Sequence, residues 1–175
     1  MNTQAPKTIY YCQIASTLAG PLWVAVTERG LYAIEFDKPE ADFLRIIRRR
    51  APQASLLPDE AQTAAVCQQI SEYFQGRRQA FELSIDLGGI PAFQQEALRA
   101  TLAIPYGQTA TYAEVAAAIG HPGAARAVGR AEATNPIPLV IPCHRVVGSD
   151  GKLHGYGGPG GISLKAKLLA MERAQ

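Results

Sequence analysis

Cysteine and histidine are scarce in this sequence, and their scarcity narrows the kinds of site that it can form. The three cysteines, Cys12, Cys67 and Cys143, are widely spaced and include no CxxC pair. Neither a disulfide framework nor a zinc cluster is therefore indicated, and we expect the thiols to be reduced. The three histidines all fall in the second half of the chain, so the first half lacks the His ligands of a mixed zinc site.

Long apolar runs and a strong net charge are also absent. No apolar run approaches the roughly 20 residues that a membrane span needs, and the polar segment from Met1 to Lys7 has no signal-peptide core. A cytoplasmic location without membrane contact is therefore expected. The net charge of +2 is too small to indicate nucleic acid. However, residues 1–90 carry nine Lys or Arg against ten Asp or Glu, whereas residues 91–175 carry eight against five, so a phosphate-binding surface is favoured in the second half.

The chain of 175 residues, 47% of them hydrophobic, can form one domain or two small ones. Hydrophobic patterning predicts an α+β fold, with an antiparallel sheet first and helices after it. The N-terminal elements are predicted strands at Thr8–Ala15, Leu22–Thr27, Leu31–Phe36 and Ala80–Leu87, and predicted helices at Glu40–Arg50 and Pro58–Gln75. Gly88, Gly89 and Pro91 indicate a linker, which predicts a structural domain at residues 1–88 and a second domain at residues 91–175.

Three consecutive arginines, Arg48, Arg49 and Arg50, end the first predicted helix. They are compatible with nucleic-acid binding. Cations are also favoured at a helix C-terminus by the helix dipole, and this explanation is the simpler one.

The second half predicts a helix-turn-helix. A helix from Phe93 to Ile104 is followed by one that starts at a Thr111 and Glu114 capping box, and by a third over residues 124–133. Plain helical hairpins share this outline, but Arg126 lies near the start of the third helix, the part that such motifs present to DNA. Small residues on that helix permit close approach to a backbone, which suits a narrow minor groove; they are Ala124, Ala125, Ala127 and Gly129.

A thiol and an imidazole are adjacent at Cys143 and His144, in a segment that begins at Asn135 and contains three prolines. His144 can supply the base that a cysteine nucleophile needs, directly or through a water. The alternative is a buried structural cysteine beside a surface histidine. The apolar run that continues through Val147 predicts a buried strand, followed by a hairpin turn and a glycine-rich loop around Tyr156.

These motifs resemble the O6-alkylguanine-DNA alkyltransferase family. The matching residues are Tyr112, the run 124–129, Asn135-Pro136, the Pro-Cys-His-Arg-Val motif at 142–146, the Gly-Tyr-Gly-Gly motif at 155–158 and the segment from Lys165 to Glu172. The resemblance covers residues 93–172, and it implies that Cys143 is the nucleophile. It also implies that Glu172 holds His144, which draws the proton from the cysteine. Without the resemblance, Glu172 would be interpreted as a solvated charge at a helix end.

The resemblance further implies how DNA and the damaged base are bound. The residue matching Arg126 enters the duplex where a base has left, and the one matching Tyr112 crowds the neighbouring phosphate. Tyr156 is expected to donate its hydroxyl to the purine ring. The Gly157 backbone is also expected to contact the base, and the carbonyls of Cys143 and Val146 to accept from its amine. Asn135 is expected to stabilise the hinge between the DNA-reading helix and the nucleophile, and the helix residues Ala124, Ala125, Ala127 and Gly129 to dock in the minor groove.

The loop departs from part of the family, because Pro159-Gly160 resembles an insertion and Gly157 replaces a serine found in some members. The family zinc site of the N-terminal domain is not supported, since no histidine falls there.

The function that the resemblance implies is irreversible, single-turnover transfer of an alkyl group from O6-alkylguanine in double-stranded DNA to Cys143. Activity on O4-alkylthymine is a further possibility. The resemblance implies base flipping, no metal or organic cofactor, and a monomer. One rival is a module that binds alkylated bases without chemistry, which Cys143 argues against. Another is a Cys-His-Glu hydrolase, which leaves Arg126 and the helix-turn-helix unexplained.

Overall fold

A computed structural model describes residues 6–156 and 160–173 of the chain. It divides into two compact units, of which the first ends at Ile90 and the second begins at Pro91. The first unit combines a sheet with two helices, and the second is mostly helical. Within the described residues, no helix has the length and apolar character needed to cross a bilayer.

The first unit contains a four-stranded sheet in the order β3-β2-β1-β4. The strands are β1 (Thr8–Ile14), β2 (Leu22–Thr27), β3 (Gly30–Phe36) and β4 (Ser55–Pro58). The pairs β1 with β2 and β2 with β3 are antiparallel, which confirms the predicted meander. β4 pairs in parallel with β1. The sequence pattern does not predict β4. Its last residue, Pro58, is the first residue of the predicted helix at Pro58–Gln75.

Two helices complete the first unit, α1 (Glu40–Arg50) and α2 (Glu60–Phe74). α2 begins after Pro58 because the Asp59 side chain accepts a hydrogen bond from the backbone of Gln62 and caps the helix. Aromatic side chains of the sheet and of α1 form a core, in which Trp23 stacks on Phe43 with ring centroids 5.4 Å apart. The sheet is therefore anchored to α1 through buried rings.

The predicted strand at Ala80–Leu87 is wrong. Only an isolated bridge forms there, between Leu31 and Ile85. Asp86 uses its side chain instead to bind Thr27 and Arg29, at 2.7 Å and 3.0 Å. A buried carboxylate with these sequence-distant partners fixes the segment without a regular ladder of backbone hydrogen bonds.

Arg50 has a structural role at the end of α1. Its guanidinium donates to the carbonyls of Gly88, Tyr32 and Asp86 at 2.6 to 2.9 Å. It also lies over the Tyr32 ring, 3.6 Å from the centroid. These contacts account for Arg50 without nucleic acid, whereas Arg48 and Arg49 are exposed.

Among residues 91–156 and 160–173, the second unit contains four α-helices, α3 (Ala92–Leu102), α4 (Tyr112–Ala118), α5 (Ala125–Ala133) and α6 (Ile162–Arg173). The short strands β5 (Ala110–Thr111) and β6 (Val146–Val147) pair in parallel. The predicted capping box is confirmed, since the Thr111 side chain and the Glu114 side chain each bind the other residue's backbone N–H. A buried core that includes Ala97, Val115 and Val128 holds α3, α4 and α5 together. α4 and α5 are the helix pair of the predicted helix-turn-helix.

Candidate active site

The segment that leads to Cys143 is braced by Asn135. Its Nδ2 donates to the carbonyl of Ile141 at 2.9 Å, and its Oδ1 accepts from the backbone N–H of Ile137 at 2.9 Å. Leu139 has a positive φ of 74°. Three prolines remove backbone donors from this segment, and the Asn135 side chain supplies hydrogen bonds in their place. The strand predicted for the apolar run after His144 is present as a short strand at Val146–Val147.

Cys143 begins a single turn of 3-10 helix, Cys143–Arg145. Its side chain is buried. Burial, the largest cause, and the charge of Glu132 together raise the pKa of the thiol to about 12. A hydrogen bond from Asn135 and the charge of Lys165 act in the opposite direction. The resting group at neutral pH is therefore the thiol, so the nucleophile requires a base when it reacts.

His144 and Glu172 form a fully buried pair, with Nε2 of the ring 2.8 Å from Oε1 of the carboxylate. Burial lowers the pKa of His144, and the hydrogen bond to Glu172 raises it. The lowered pKa favours a neutral ring, which can accept a proton. If Nε2 carries the hydrogen and donates it in the hydrogen bond to Glu172, Nδ1 is the ring atom that can accept a proton. Glu172 is only 2% exposed, so the interpretation as a solvated charge is excluded.

Arg145 holds the other side of Glu172. Its Nε donates to Oε2 and its Nη2 to Oε1, both at 2.9 Å, and its Nη1 donates to the Ile104 carbonyl at 2.6 Å. The Gly107 N–H also donates to Oε2, at 3.1 Å. This bidentate ion pair fixes the carboxylate that touches His144. Our sequence reasoning did not assign a role to Arg145, although an arginine within a buried apolar run indicates a buried partner.

Lys165 is a second buried cation in the site. It is 1% exposed, and its Nζ donates to the carbonyls of Val146 at 2.6 Å and His154 at 3.2 Å. Lys165 and Glu172 are seven residues apart on α6 and so share one helix face, a signal that could have identified Lys165. The Val146 carbonyl, expected to bind the guanine amine, retains a second lone pair for that contact.

Glu132 is a buried carboxyl on the inner face of α5 that the sequence did not predict. Its Oε1 accepts from Thr101 Oγ1 at 2.7 Å. Burial raises the pKa of Glu132 to about 7, while Thr101 and the charge of Lys165 lower it. Near neutral pH this group therefore changes charge close to Cys143.

A cleft of about 780 Å³ lies between the helix pair and the segment 148–156. Tyr112, Arg126 and Tyr156 all line it. Burial is the main cause that raises the pKa of both tyrosines, and the charge of Cys143 also raises each. The nucleophile is thus close to two of the cleft residues. The volume of the cleft is typical of a small-molecule site.

The small residues of α5 take different positions. Ala125 and Gly129 line the cleft, whereas Ala127 is exposed beside Arg126 and Ala124 is the residue that caps the helix. A Cβ at Gly129 would meet the Tyr112 ring at 3.8 Å, so the close approach is ordinary van der Waals contact. The expected contact from Gly157 lies outside the described residues.

The turn after Val147 is present, with the Gly148 N–H donating to the Lys152 carbonyl at 3.1 Å. A Cβ at Gly148 would lie 2.5 Å from His154 Nε2 and 2.6 Å from Asp150 Oδ1, so a larger residue there would require these two side chains to move. The predicted hairpin is wrong, because no second strand follows within residues 148–156 and β6 pairs instead with β5. Across residues 6–156 and 160–173, no group of three His, Cys, Asp or Glu side chains is arranged to hold a metal ion.

Comparison with known proteins agrees with this arrangement. Residues 9–87 match the ribonuclease-like domain of 6-O-methylguanine DNA methyltransferase, and residues 92–174 match its DNA-binding domain. A methylated-DNA–protein-cysteine methyltransferase of Methanosarcina barkeri is 40% identical over 94% of this chain and 97% of its own length. One from Mycobacterium tuberculosis is 48% identical over 67% of this chain and 70% of its own.

Solved structures give the same result for the fold. The crystal structure of the Mycobacterium tuberculosis O6-methylguanine methyltransferase has a TM-score of 0.80 and 38% identity, over 95% of this chain and 94% of its own. The crystal structure of the Mycobacterium tuberculosis OGT in complex with DNA also has a TM-score of 0.80, with 39% identity over 94% of this chain and 93% of its own. The chain therefore belongs to the family of methylated-DNA–protein-cysteine methyltransferases.

Proposed function

We propose that this chain repairs DNA by moving the alkyl group of O6-alkylguanine, and by extension of O4-alkylthymine, onto Cys143. The observation that carries the proposal is the buried pair of His144 and Glu172, 2.8 Å apart, in which His144 directly follows Cys143. The charge of Cys143 acts on Tyr112 and Tyr156, which line the α5 cleft. A structural cysteine beside a surface histidine does not account for it, because His144 is fully buried and held by a carboxylate.

The chemistry follows from the charges around the thiol. Neutral His144 takes the Cys143 proton, directly or through a water, and Glu172 stabilises the positive charge that the ring acquires. Arg145 keeps Glu172 in place through its two hydrogen bonds. The Cys143 sulfur forms a bond to the alkyl carbon while the bond from that carbon to O6 breaks. The electron pair leaves with guanine, which then takes up the proton.

The high resting pKa of Cys143 has a consequence for this reaction. A buried thiol with a pKa of about 12 is largely un-ionised at neutral pH, so proton removal and alkyl transfer should be linked steps in the bound complex. Holding the two reactants close together then supplies much of the acceleration.

DNA binding is assigned to the exposed surface of α5. Arg126 is exposed at its first turn, and Ala125 and Gly129 line the cleft with it. An alkyl group on O6 lies inside the duplex, so the nucleotide must leave the stack to reach a buried sulfur. Tyr112 and Tyr156 face the cleft that would receive it. Asn135 fixes the chain between α5 and the nucleophile.

The product is a thioether, which has no carbonyl for water to attack. One molecule of protein should therefore accept one alkyl group, and no metal or organic cofactor takes part in the step. The proposed partner is double-stranded DNA containing alkylated bases, bound by a monomer in the cytoplasm.

The test uses a duplex whose O6-methylguanine carries a labelled methyl group, in excess over protein. Wild type should acquire label to a plateau of one methyl group per chain. Cys143→Ser should acquire none, yet bind the duplex with nearly unchanged affinity, because the thiol supplies the chemistry and the helices supply the binding. A labelled Cys143→Ser protein would overturn the assignment of the nucleophile, and continued turnover would overturn the single-turnover mechanism.

A further inference from the structure

Cys12 and Cys67 are distant in sequence but meet in the first unit. Their sulfur atoms lie 3.0 Å apart. Residues alternate between the two faces of a strand, so Cys12 of β1 lies on the face opposite Ile9 and Tyr11, which are in the α1 core. Cys67 lies within α2, which packs on β1. Both cysteines are partly exposed, so small molecules can reach them from solvent.

The two thiols differ in their readiness to ionise. A hydrogen bond from Cys67 is the main cause that lowers the pKa of Cys12, to about 7, although burial opposes it. Thr63 contributes a second hydrogen bond that lowers the pKa, and the charge of Glu60 raises it. The same contact raises the pKa of Cys67. A thiolate at Cys12 therefore has a neutral thiol as its immediate neighbour.

This arrangement combines the parts of a redox-active cysteine pair. The thiolate is the form that oxidants attack, and a neighbouring thiol can resolve the product. A disulfide has a sulfur–sulfur distance of about 2.05 Å, so the two atoms need to approach by only roughly 1 Å. Small rotations about the side-chain bonds of Cys12 and Cys67 supply such a movement.

We propose that Cys12 and Cys67 form a modification site, a dithiol that hydroperoxides oxidise to a reversible disulfide between β1 and α2. The Cys12 thiolate attacks the terminal oxygen of the hydroperoxide, whose O–O bond breaks, and Cys12 becomes a sulfenic acid. Hydrogen peroxide releases hydroxide in this step, and an organic hydroperoxide releases an alkoxide. Cys67 then attacks that sulfur, the S–S bond forms and water leaves. The dithiol loses two electrons and the peroxide gains them. A thiol reductant reverses the step by exchange.

The site goes beyond alkyl transfer and does not depend on it. Cys143, in the second unit, is buried and its pKa is raised to about 12, so it should react with peroxide far more slowly than Cys12. The pair would thus be oxidised under conditions that leave the transfer thiol intact. The disulfide would also close a long loop in the first unit, and the melting temperature should rise when it forms.

The experiment treats the reduced full-length chain with a few equivalents of hydrogen peroxide and follows the intact mass. The mass should fall by that of a pair of hydrogen atoms, and non-reducing peptide mapping should link the peptides of Cys12 and Cys67. Dithiothreitol should restore the starting mass. The alkyl-acceptor stoichiometry of the oxidised protein should equal that of the reduced protein.

Cys67→Ser is the matched control, because it removes the resolving thiol and leaves Cys12. It should stop at a sulfenic acid on Cys12 that dimedone traps, and its transfer activity should match wild type. Mapping of wild type alone decides the proposal if that variant fails to fold. The proposal would be overturned if Cys143 is oxidised before Cys12 and Cys67. It would also be overturned if Cys12 and Cys67 are oxidised but their peptides are not linked.

Discussion

Replacing Glu132 with Gln removes a buried negative charge near Cys143 and nearly preserves the shape of the side chain. Glu132 is 7% exposed, and within the described residues its Oε2 has no hydrogen-bond partner. Burial raises its pKa from the ordinary value of 4.5 to about 7, against the opposing effects of Thr101 and Lys165. The substitution therefore tests whether a carboxyl group titrates inside the site.

The magnitude follows from the two pKa values. Their difference corresponds to about 3 kcal/mol. Because the folded pKa lies above the unfolded one, the folded chain binds this proton more tightly. The stabilisation of the folded chain by the proton on Glu132 is therefore complete below about pH 4.5 and is lost as the pH rises through about 7. Glu132→Gln has no such titration, so its free energy of unfolding relative to wild type should rise by about 3 kcal/mol across this interval.

The same substitution should affect the nucleophile. The charge of Glu132 is the second cause, after burial, that raises the pKa of Cys143. Its removal should lower the pKa of that thiol and so increase the single-turnover rate above pH 7. A decrease of the thiol pKa by up to about one unit corresponds to a rate increase of about two- to tenfold. Below about pH 5, where Glu132 is already protonated, the two rates should converge.

Urea unfolding at a series of pH values measures the first effect, and rapid-quench assays with a methylated duplex measure the second. Glu96→Gln is the matched control, because Glu96 is an exposed glutamate on the neighbouring helix α3. It should leave the pH dependence of stability unchanged. Parallel stability curves for Glu132→Gln and wild type would refute the argument, since they would show that Glu132 keeps an ordinary pKa.

Two further pairs of substitutions separate folding from chemistry. Arg145→Met should reduce the free energy of unfolding by about 3 to 5 kcal/mol, because it leaves the buried Glu172 carboxylate without its bidentate partner. Adding Glu172→Gln should restore much of that stability in urea unfolding but not the transfer rate, whereas a double variant as unstable as the single one would contradict the ion-pair argument. Arg126→Ala should slow transfer from duplex DNA about tenfold or more, a barrier increase of about 1.4 kcal/mol, but leave any reaction with free O6-benzylguanine nearly unchanged. The exposed Arg130→Ala on the same helix should affect neither rate, and equal losses on both substrates for Arg126→Ala would indicate misfolding or a pocket role.

Local patterns predicted the elements whose causes are local. β2 was predicted at its observed bounds from a β-branched run, and α1 from its apolar spacing. The capping box at Thr111 and Glu114 fixed the start of α4, because both partners lie within one turn. The end helix α6 was likewise predicted at its bounds. These interactions can be recognised without knowing the tertiary structure.

The features that were missed depend on distant partners. β4 is short and forms because β1 lies beside it in parallel, a pairing that no local pattern encodes. Asp86 replaces a strand ladder with side-chain bonds to residues almost sixty positions away. In the site, Arg145 and Glu172 are 27 residues apart, so the ion pair is visible only after folding. The resemblance supplied the roles of Cys143, His144 and Glu172, whereas the structure supplied Arg145, which fixes Glu172.

The central claim is that Cys143 itself accepts the alkyl group, and peptide mass mapping tests it most directly. Wild-type protein is incubated with a duplex that contains a single O6-methylguanine and is then digested. The three peptides that contain cysteine are compared with those of protein incubated with an unmodified duplex. The account predicts that the Cys143 peptide alone gains the mass of one CH2 group, while the Cys12 and Cys67 peptides are unchanged. A gain on either of those peptides, or repaired DNA with an unmodified Cys143 peptide, would contradict it.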